Sequence, residues 1–304
     1  MSLIVSHAVA KINLVLRVIS PQSVQRASSE ERAGYHRIES IFMFLDGMYD
    51  TLELNTATAF NESSGAIDGV PAADNSIQAA AKILMNHFEM AVPDINVTKR
   101  LPVSGGVGGG SSDAACFINA VFDYWEMSPP EKLHYINMFD PLGSDTKIFL
   151  YKYFGEHDSL YVLGTGFDSV PVAVGPPVSG YVVLINRGTR LSARAVYEAL
   201  TGPYCNEMGI DGVMDLLLHN EHDKPALAYN SLMQAATALE PSIRTTLSSI
   251  ETTSPTLYGL SGSGPTCFGI YSSLTAARSA SCLIDGASHV LRVPKMYNSS
   301  MTHT

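Results

Sequence analysis

The run Pro102-Val103-Ser104-Gly105-Gly106-Val107-Gly108-Gly109-Gly110-Ser111-Ser112-Asp113 narrows the possible folds more than any other part of the chain. Five of the six positions from 105 to 110 are glycine, the residue that loses the most chain entropy on ordering. Upstream, Ile95 to Thr98 reads as a short strand. Downstream, Ala114, Ile118, Val121, Phe122 and Trp125 fall at i, i+4, i+7, i+8 and i+11, the apolar stripe of a helix. The order is strand, glycine loop, helix N-terminus, with Ser111, Ser112 and Asp113 as capping residues. A backbone that curls there offers N–H groups free of side chains, and a helix N-terminus carries roughly half a positive charge. Such a loop suits a phosphate chain. A plain linker or tight turn is the alternative, and its place between a strand and an amphipathic helix weighs against it.

Two common phosphate motifs do not fit. The P-loop needs Lys after its last glycine, and Ser111 follows Gly110. The dinucleotide pattern G-x-G-x-x-G fails because Gly106-Val107-Gly108 has Ser111 in the sixth place.

Composition bounds the partners. The 304 residues suggest two domains. With 19 Lys plus Arg against 29 Asp plus Glu the net charge is −10, which excludes a general nucleic-acid binder, since phosphates need a surplus of cations. At 46% hydrophobic and 16% charged the chain is not wholly disordered. Cys116, Cys205, Cys267 and Cys282 are widely spaced, with no C-x-x-C pair, and read as buried small hydrophobes in a reducing compartment. His7, Lys11, Asn13 and Arg17 interrupt the apolar N-terminus, and no segment approaches a membrane span. The expectation is a soluble, cytoplasmic protein, monomer or homodimer, that binds neither nucleic acid nor membrane.

Along the chain, Leu3 to Val18 alternates: Lys11, Asn13 and Arg17 share one parity, and Ile12, Leu14, Leu16 and Val18 the other. That predicts a half-buried strand with Lys11 beside Asn13. Ser20 to Ala33 is polar and reads as a loop; Ile41 to Leu54 is strand-like, broken near Asp46-Gly47. Asp74-Asn75-Ser76 can cap a helix carrying Ile77, Ala80, Ala81, Leu84 and Met85. Val170 to Gly180 is Pro/Gly-rich, and a boundary there divides the chain into 1–170 and 171–304. Beyond it come a strand at Tyr181 to Asn186, helices at Ala193 to Leu200 and Ser231 to Leu239, and a strand, glycine turn and strand from Leu257 to Tyr271. His219-Asn220-Glu221-His222 lacks the H-E-x-x-H metal spacing and reads as a solvated loop, the scattered methionines as core filler, and the tail from Asn298 as frayed.

Three ordered segments together resemble the GHMP kinases. Ala10-Lys11-Ile12-Asn13-Leu14 fits their first motif, Pro102 to Ser112 their second, with Val107 in place of Leu, and Ser261-Gly262-Ser263-Gly264 their third. Gly34-Tyr35-His36-Arg37-Ile38-Glu39-Ser40-Ile41-Phe42 and Gly143-Ser144-Asp145 are similar to segments of the member of that family whose acceptor alcohol carries a cytidine diphosphate half.

The resemblance implies an α+β, two-domain fold with the active site in the inter-domain cleft, residues 1–170 forming the ATP-binding domain. It implies transfer of the γ-phosphoryl group of ATP, with Mg²⁺, to the 2-hydroxyl of a cytidine diphosphate-linked methylerythritol in the non-mevalonate isoprenoid route. Asp145 would be the general base and Lys11 its cationic neighbour. Pro102, Val103, Ser104, Gly105, Gly106, Val107, Gly108, Gly109, Gly110, Ser111 and Ser112 would hold the phosphates, with Ser112 offering its hydroxyl to the metal. Tyr35 and Tyr197 would stack on the base, His36 would bond its edge, and Asn13 and Lys99 would meet hydroxyls and diphosphate. Three departures stand out: a longer segment between Asn13 and Gly34, Ser144-Asp145-Thr146-Lys147 in place of A-D-V-P, and Asn230-Ser231-Leu232 in place of N-D-L. Two other readings stay open, a GHMP kinase for a homoserine- or mevalonate-type alcohol and a catalytically silent nucleotide sensor. The presence of both Lys11 and Asp145 speaks against the sensor.

Overall fold

The computed structural model describes residues 3–20, 36–155, 157, 159–164, 170–174, 178, 180–218 and 225–293. Tyr35, most of the polar stretch after Ser20, the His219–His222 cluster and the tail from Asn298 lie outside the described residues.

The alternating N-terminal segment forms β1 (Leu3–Val18), paired antiparallel along its whole length with β2 (Ile38–Ala59). The irregularity at Asp46-Gly47 is a register shift: Ala10 faces Leu45 and Val9 faces Tyr49, so residues 46–48 are extra on β2. A second shift, between Asn13 and Val15, makes Leu14 the extra residue on β1. Parity predicts a half-buried strand, yet β1 is buried on both faces from Ala8 onward. The reason is that its polar groups are satisfied on both faces, because the extra Leu14 turns Arg17 to the face opposite Asn13, against the parity expectation. Lys11 bonds Asn13, Asn13 bonds Ser40 Oγ at 2.9 Å, and Arg17 pairs with the fully buried Glu39.

Asn75 Oδ1 accepts from Ile77 N at 2.9 Å and caps α1 (Ser76–His87). Ile77, Ala80, Ala81 and Leu84 are buried as the spacing predicts, whereas Met85 faces out. β3 (Pro93–Thr98) pairs with the far half of β2 and leads through the glycine loop into α2 (Gly109–Tyr124). The stripe Ala114, Ile118, Val121, Phe122 and Trp125 is buried. α3 (Pro129–His134) and α4 (Ser144–Gly155) follow, then β4 (Ser159–Gly164) against the near half of β2, and β5 (Val172–Ala173) beside β4.

The second sheet begins with β6 (Gly180–Ile185). Then come α5 (Ala193–Glu198), α6 (Gly209–Leu218), β7 (Ala226–Leu227), α7 (Met233–Leu239) and α8 (Ser242–Glu251). β8 (Leu257–Leu260), β9 (Cys267–Tyr271), α9 (Leu274–Leu283) and β10 (Ala287–Val293) complete it, in the order β10-β6-β9-β8-β7.

Three apolar clusters hold these layers. Phe44, Phe117, Phe122 and Phe149 fill the space between the first sheet, α2 and α4. Ala10, Ile12 and Leu14 of β1 pack with Val182, Leu184, Phe268 and Ile270 of the second sheet, so β1 joins the two halves. Leu232, Ala236, Ile243 and Ala277 pack beneath the second sheet's helices. Two composition readings are corrected: Cys116 and Cys267 are buried but Cys282 is exposed, and Met43 and Met48 fill core while Met90 and Met208 lie on the surface. No cysteine is in a disulfide. Among the described residues no helix is long and apolar enough to cross a membrane.

Candidate active site

A cavity of about 1290 Å³ opens between the two halves. Lys11, Asn13, His36, residues 67–77, Lys99, the glycine loop and Gly143–Asp145 line one side. Arg190 to Glu198 and the turn Gly262-Ser263 line the other. The volume exceeds the usual range for one drug-sized ligand, about 300–1,000 Å³, and leaves room for a nucleotide and a second molecule.

The glycine loop is shaped by what presses on it. Gly106 has φ +79°, and a Cβ there would meet the carbonyl oxygen of Ser261 at 2.5 Å and that of Gly264 at 2.8 Å. Only glycine permits that approach. Gly108, at φ +74°, is the N-cap of α2, and a Cβ there would strike the Phe149 ring at 2.7 Å. Backbone bonds fix the loop on three sides: Lys11 N donates to Val107 O at 3.0 Å, Thr266 N to Gly105 O at 3.1 Å, and Ser261 Oγ to Gly106 O at 3.0 Å. The third motif is anchored in turn by Asn230, whose Nδ2 donates to Leu260 O at 2.9 Å and to Gly262 O at 2.8 Å. All three glycine- and polar-rich segments thus converge on one spot.

Lys11 and Asp145 meet there. Lys11 Nζ donates to Asn13 Oδ1 at 2.6 Å and lies 3.6 Å from Asp145 Oδ2. Burial pulls the Lys11 pKa below its ordinary value, while the Asp145 charge works the other way. Asp145 sits in the first turn of α4, its side chain 38% exposed to the cavity, whereas Lys11 is 5% exposed.

Lys99 is placed differently. Its ammonium bridges the buried carboxylates of Asp50 and Asp113, the latter at 2.5 Å. Burial works to lower its pKa, but Asp113 and Asp50 outweigh that and hold it above the ordinary value. Two carboxylates share one cation, so burial pushes Asp113 up to about 7 despite Lys99. Asp113 Oδ1 is buried without a hydrogen-bond partner. Asp50 also accepts Leu101 N at 2.8 Å, so the cluster pins the chain just ahead of the loop.

Ser112, which the sequence offers to a metal, turns away from the cavity. It is fully buried, and its hydroxyl lies 2.9 Å from that of Tyr153, which also accepts Val9 N at 3.0 Å. Ser111, one residue earlier and about 100° around the helix, lines the cavity instead.

His36 also lines the cavity. Its ring stacks on Tyr197, centroids 5.1 Å apart, and more distantly on Tyr204 at 6.3 Å. Its Nδ1 is buried without a partner, and burial lowers its pKa, which keeps the imidazole neutral. Burial, with the Asp145 charge in support, pushes the Tyr197 hydroxyl up. Lys11, Asn13, Asp145, His36 and Tyr197 are brought to one cavity, with Lys99 on the loop side of it. Arg190 and the cavity wall drawn from residues 67–77 belong to no motif, and only the Asn75 cap signals the latter, whereas Ser263 falls in the third glycine motif.

The comparisons now have a geometry to stand against. Residues 75–151 match the GHMP kinases N terminal domain family. The chain is 31% identical to the 4-diphosphocytidyl-2-C-methyl-D-erythritol kinase of Paramagnetospirillum magneticum, over 93% of this chain and 94% of that one. It belongs to the 4-diphosphocytidyl-2-C-methyl-D-erythritol kinase family of GHMP kinases. The enzyme of the same name from Parvibaculum lavamentivorans is 30% identical over 91% of this chain and 92% of its own. The fold of this GHMP kinase matches the crystal structure of a 4-(cytidine 5'-diphospho)-2C-methyl-D-erythritol kinase at TM-score 0.71 and 24% identity, covering 96% of this chain and 100% of the other. It matches mevalonate kinase from methicillin-resistant Staphylococcus aureus at TM-score 0.59 and 14% identity, covering 97% and 100%. The protein is an ATP-dependent small-molecule kinase with a mixed, two-domain GHMP architecture.

Two departures of this kinase from the family pattern have local explanations. Lys147 replaces the expected proline yet is buried, donating to Asn137 Oδ1 at 2.7 Å and lying 3.5 Å from Asp140, so it serves α4 rather than the cavity. Ser231 replaces Asp beside Asn230, and its hydroxyl accepts Val18 N at 3.0 Å. A neutral acceptor suffices there.

Proposed function

We propose that this kinase transfers the γ-phosphoryl group of ATP to the 2-hydroxyl of 4-diphosphocytidyl-2-C-methyl-D-erythritol, as a cytoplasmic step of non-mevalonate isoprenoid precursor synthesis. The observation that carries the reading is the Lys11–Asp145 pair opening onto the cavity that the glycine loop borders on one side and the His36–Tyr197 stack on another.

In this reading Asp145 accepts the proton of the attacking hydroxyl as its oxygen bonds to the γ-phosphorus. The bond from phosphorus to the bridging oxygen breaks, and ADP leaves. Lys11 lowers the charge cost of the forming alkoxide; Asn13 fixes the lysine through its 2.6 Å hydrogen bond. Free backbone N–H groups of the glycine loop hold the triphosphate, with Lys99 supporting the loop from its carboxylate pair. Phosphate-bound Mg²⁺ keeps several waters and takes one or two carboxylates; Asp113, with an unpartnered oxygen, and Ser111 fit such an ion better than Ser112 does. The ion would supply neutralisation of the phosphate charge. Tyr197 offers a stacking face and His36, which Tyr35 precedes in sequence, a ring edge for the base.

Incubation with ATP-Mg²⁺ and a panel of alcohols, following ADP release, tests the assignment. Turnover is expected with the cytidyl methylerythritol; turnover confined to homoserine or mevalonate would replace it by another GHMP alcohol, and none at all would favour the sensor.

A further inference from the structure

We infer that Arg190 is the cationic contact for the diphosphate of the acceptor, a role that rests on the cytidine reading above and assigns a residue to the part of the ligand that reading leaves bare. A chain of net charge −10 must bring two polyanions into one cavity. The described wall of that cavity holds four cations, Lys11, Lys99, Arg190 and Arg194. Lys11 is committed to Asn13 and Asp145, Lys99 to Asp50 and Asp113, and Arg194 to Glu198 at 2.8 Å. Arg190 alone among these four has neither ion pair nor hydrogen bond through its side chain, and it is exposed on the cavity wall.

Its position is set by anchored neighbours. Asn186, at the end of β6, donates to Thr266 Oγ1 at 2.8 Å and accepts Gly188 N at 2.8 Å, closing a turn with Gly188 at φ +79°. Thr266 is the residue whose N–H holds Gly105 of the glycine loop. Leu191, on the other side of Arg190, packs into the core beneath the second sheet. The arginine therefore springs from a short segment fixed at both ends, and one of those ends is shared with the phosphate loop.

The ligand's shape supplies the rest. A base held at His36 and Tyr197 and a hydroxyl held at Asp145 leave the diphosphate between them. Arg190, the α5 residues Ala193, Arg194 and Tyr197, and Asp145 all line the same cavity. The triphosphate of ATP has the loop's N–H groups. The second polyanion has no cation unless Arg190 provides it, and a guanidinium fork matches phosphate oxygens two at a time.

Calorimetric titration of CDP and of cytidine into the wild type, Arg190→Ala and Arg190→Lys tests the assignment without turnover. The expected result is roughly tenfold weaker CDP binding by Arg190→Ala, the scale of one charge-assisted contact, with cytidine binding unchanged and part of the CDP affinity restored in Arg190→Lys. In steady state the acceptor KM of Arg190→Ala should rise while the ATP KM does not. CDP affinity equal to wild type, an equal loss for cytidine and CDP, or a rise confined to the ATP KM would each overturn the role of Arg190 and leave the cytidine reading standing. Wild-type protein that binds neither cytidine nor CDP would overturn both.

Discussion

Lys11 Nζ stands 3.6 Å from Asp145 Oδ2, one on the central stretch of β1 and the other in the first turn of α4. The asymmetry of the pair matters more than its length. The lysine is sealed in, held by Asn13 and lying 5.3 Å from the centre of the Phe42 ring, while the carboxylate keeps a face to the cavity. A buried cation thus tunes an accessible base, the arrangement expected where an alcohol proton must be removed beside a polyphosphate.

The glycine loop should tolerate no side chain at position 106. Gly106→Ala forces a left-handed residue against two carbonyl oxygens of the third motif. A loss of stability on the order of 2 kcal/mol or more is expected, read from the denaturant midpoint, together with a raised ATP KM. An unchanged midpoint would mean that loop and turn are not locked together.

His36→Ala should raise the KM for the cytidyl acceptor far more than that for ATP, because the stacked His36–Tyr197 pair is assigned to the base and the glycine loop to the triphosphate. Steady-state kinetics with each substrate varied in turn checks this. Equal effects on both constants would remove His36 from the base pocket.

Asp113 gives a pH dependence of defined sign. Its folded pKa is raised to about 7 from an ordinary 3.8. Between those values the folded chain holds a proton that the unfolded chain has released, so the group costs stability progressively as pH rises, and fully above about 7. Relative to Asp113→Asn, the wild type should therefore lose stability from pH 5 to pH 8, measured from urea midpoints of both proteins. A difference that is flat with pH, or one that runs the other way, would mean that Lys99 offsets the burial of Asp113.

Much of this arrangement can be read from the residues, and the exceptions have physical causes. The parity of β1, the stripe of α2 and the Asn75 cap are local signals, and the structure follows them. The helix that carries Asp145 gives no such signal. Lys147 and Lys152 interrupt its apolar pattern, yet both are buried, one bonded to Asn137 and the other lying 5.7 Å from the centre of the Phe44 ring. β1 fails the half-buried expectation for a related reason, since Arg17 and Asn13 find partners on β2 that no local pattern encodes. Ser112 shows the limit most plainly. Adjacent serines look alike in sequence, and only the packing of Tyr153 decides which of them faces the cavity.

Single-turnover phosphoryl transfer by Asp145→Asn, with ATP affinity measured separately, tests the chemistry most directly. The Lys11–Asp145 assignment predicts a rate lower by about 10²–10⁴, the range for a lost acid–base group, with ATP binding little changed. A rate near that of the wild type would show that the proton leaves by another route.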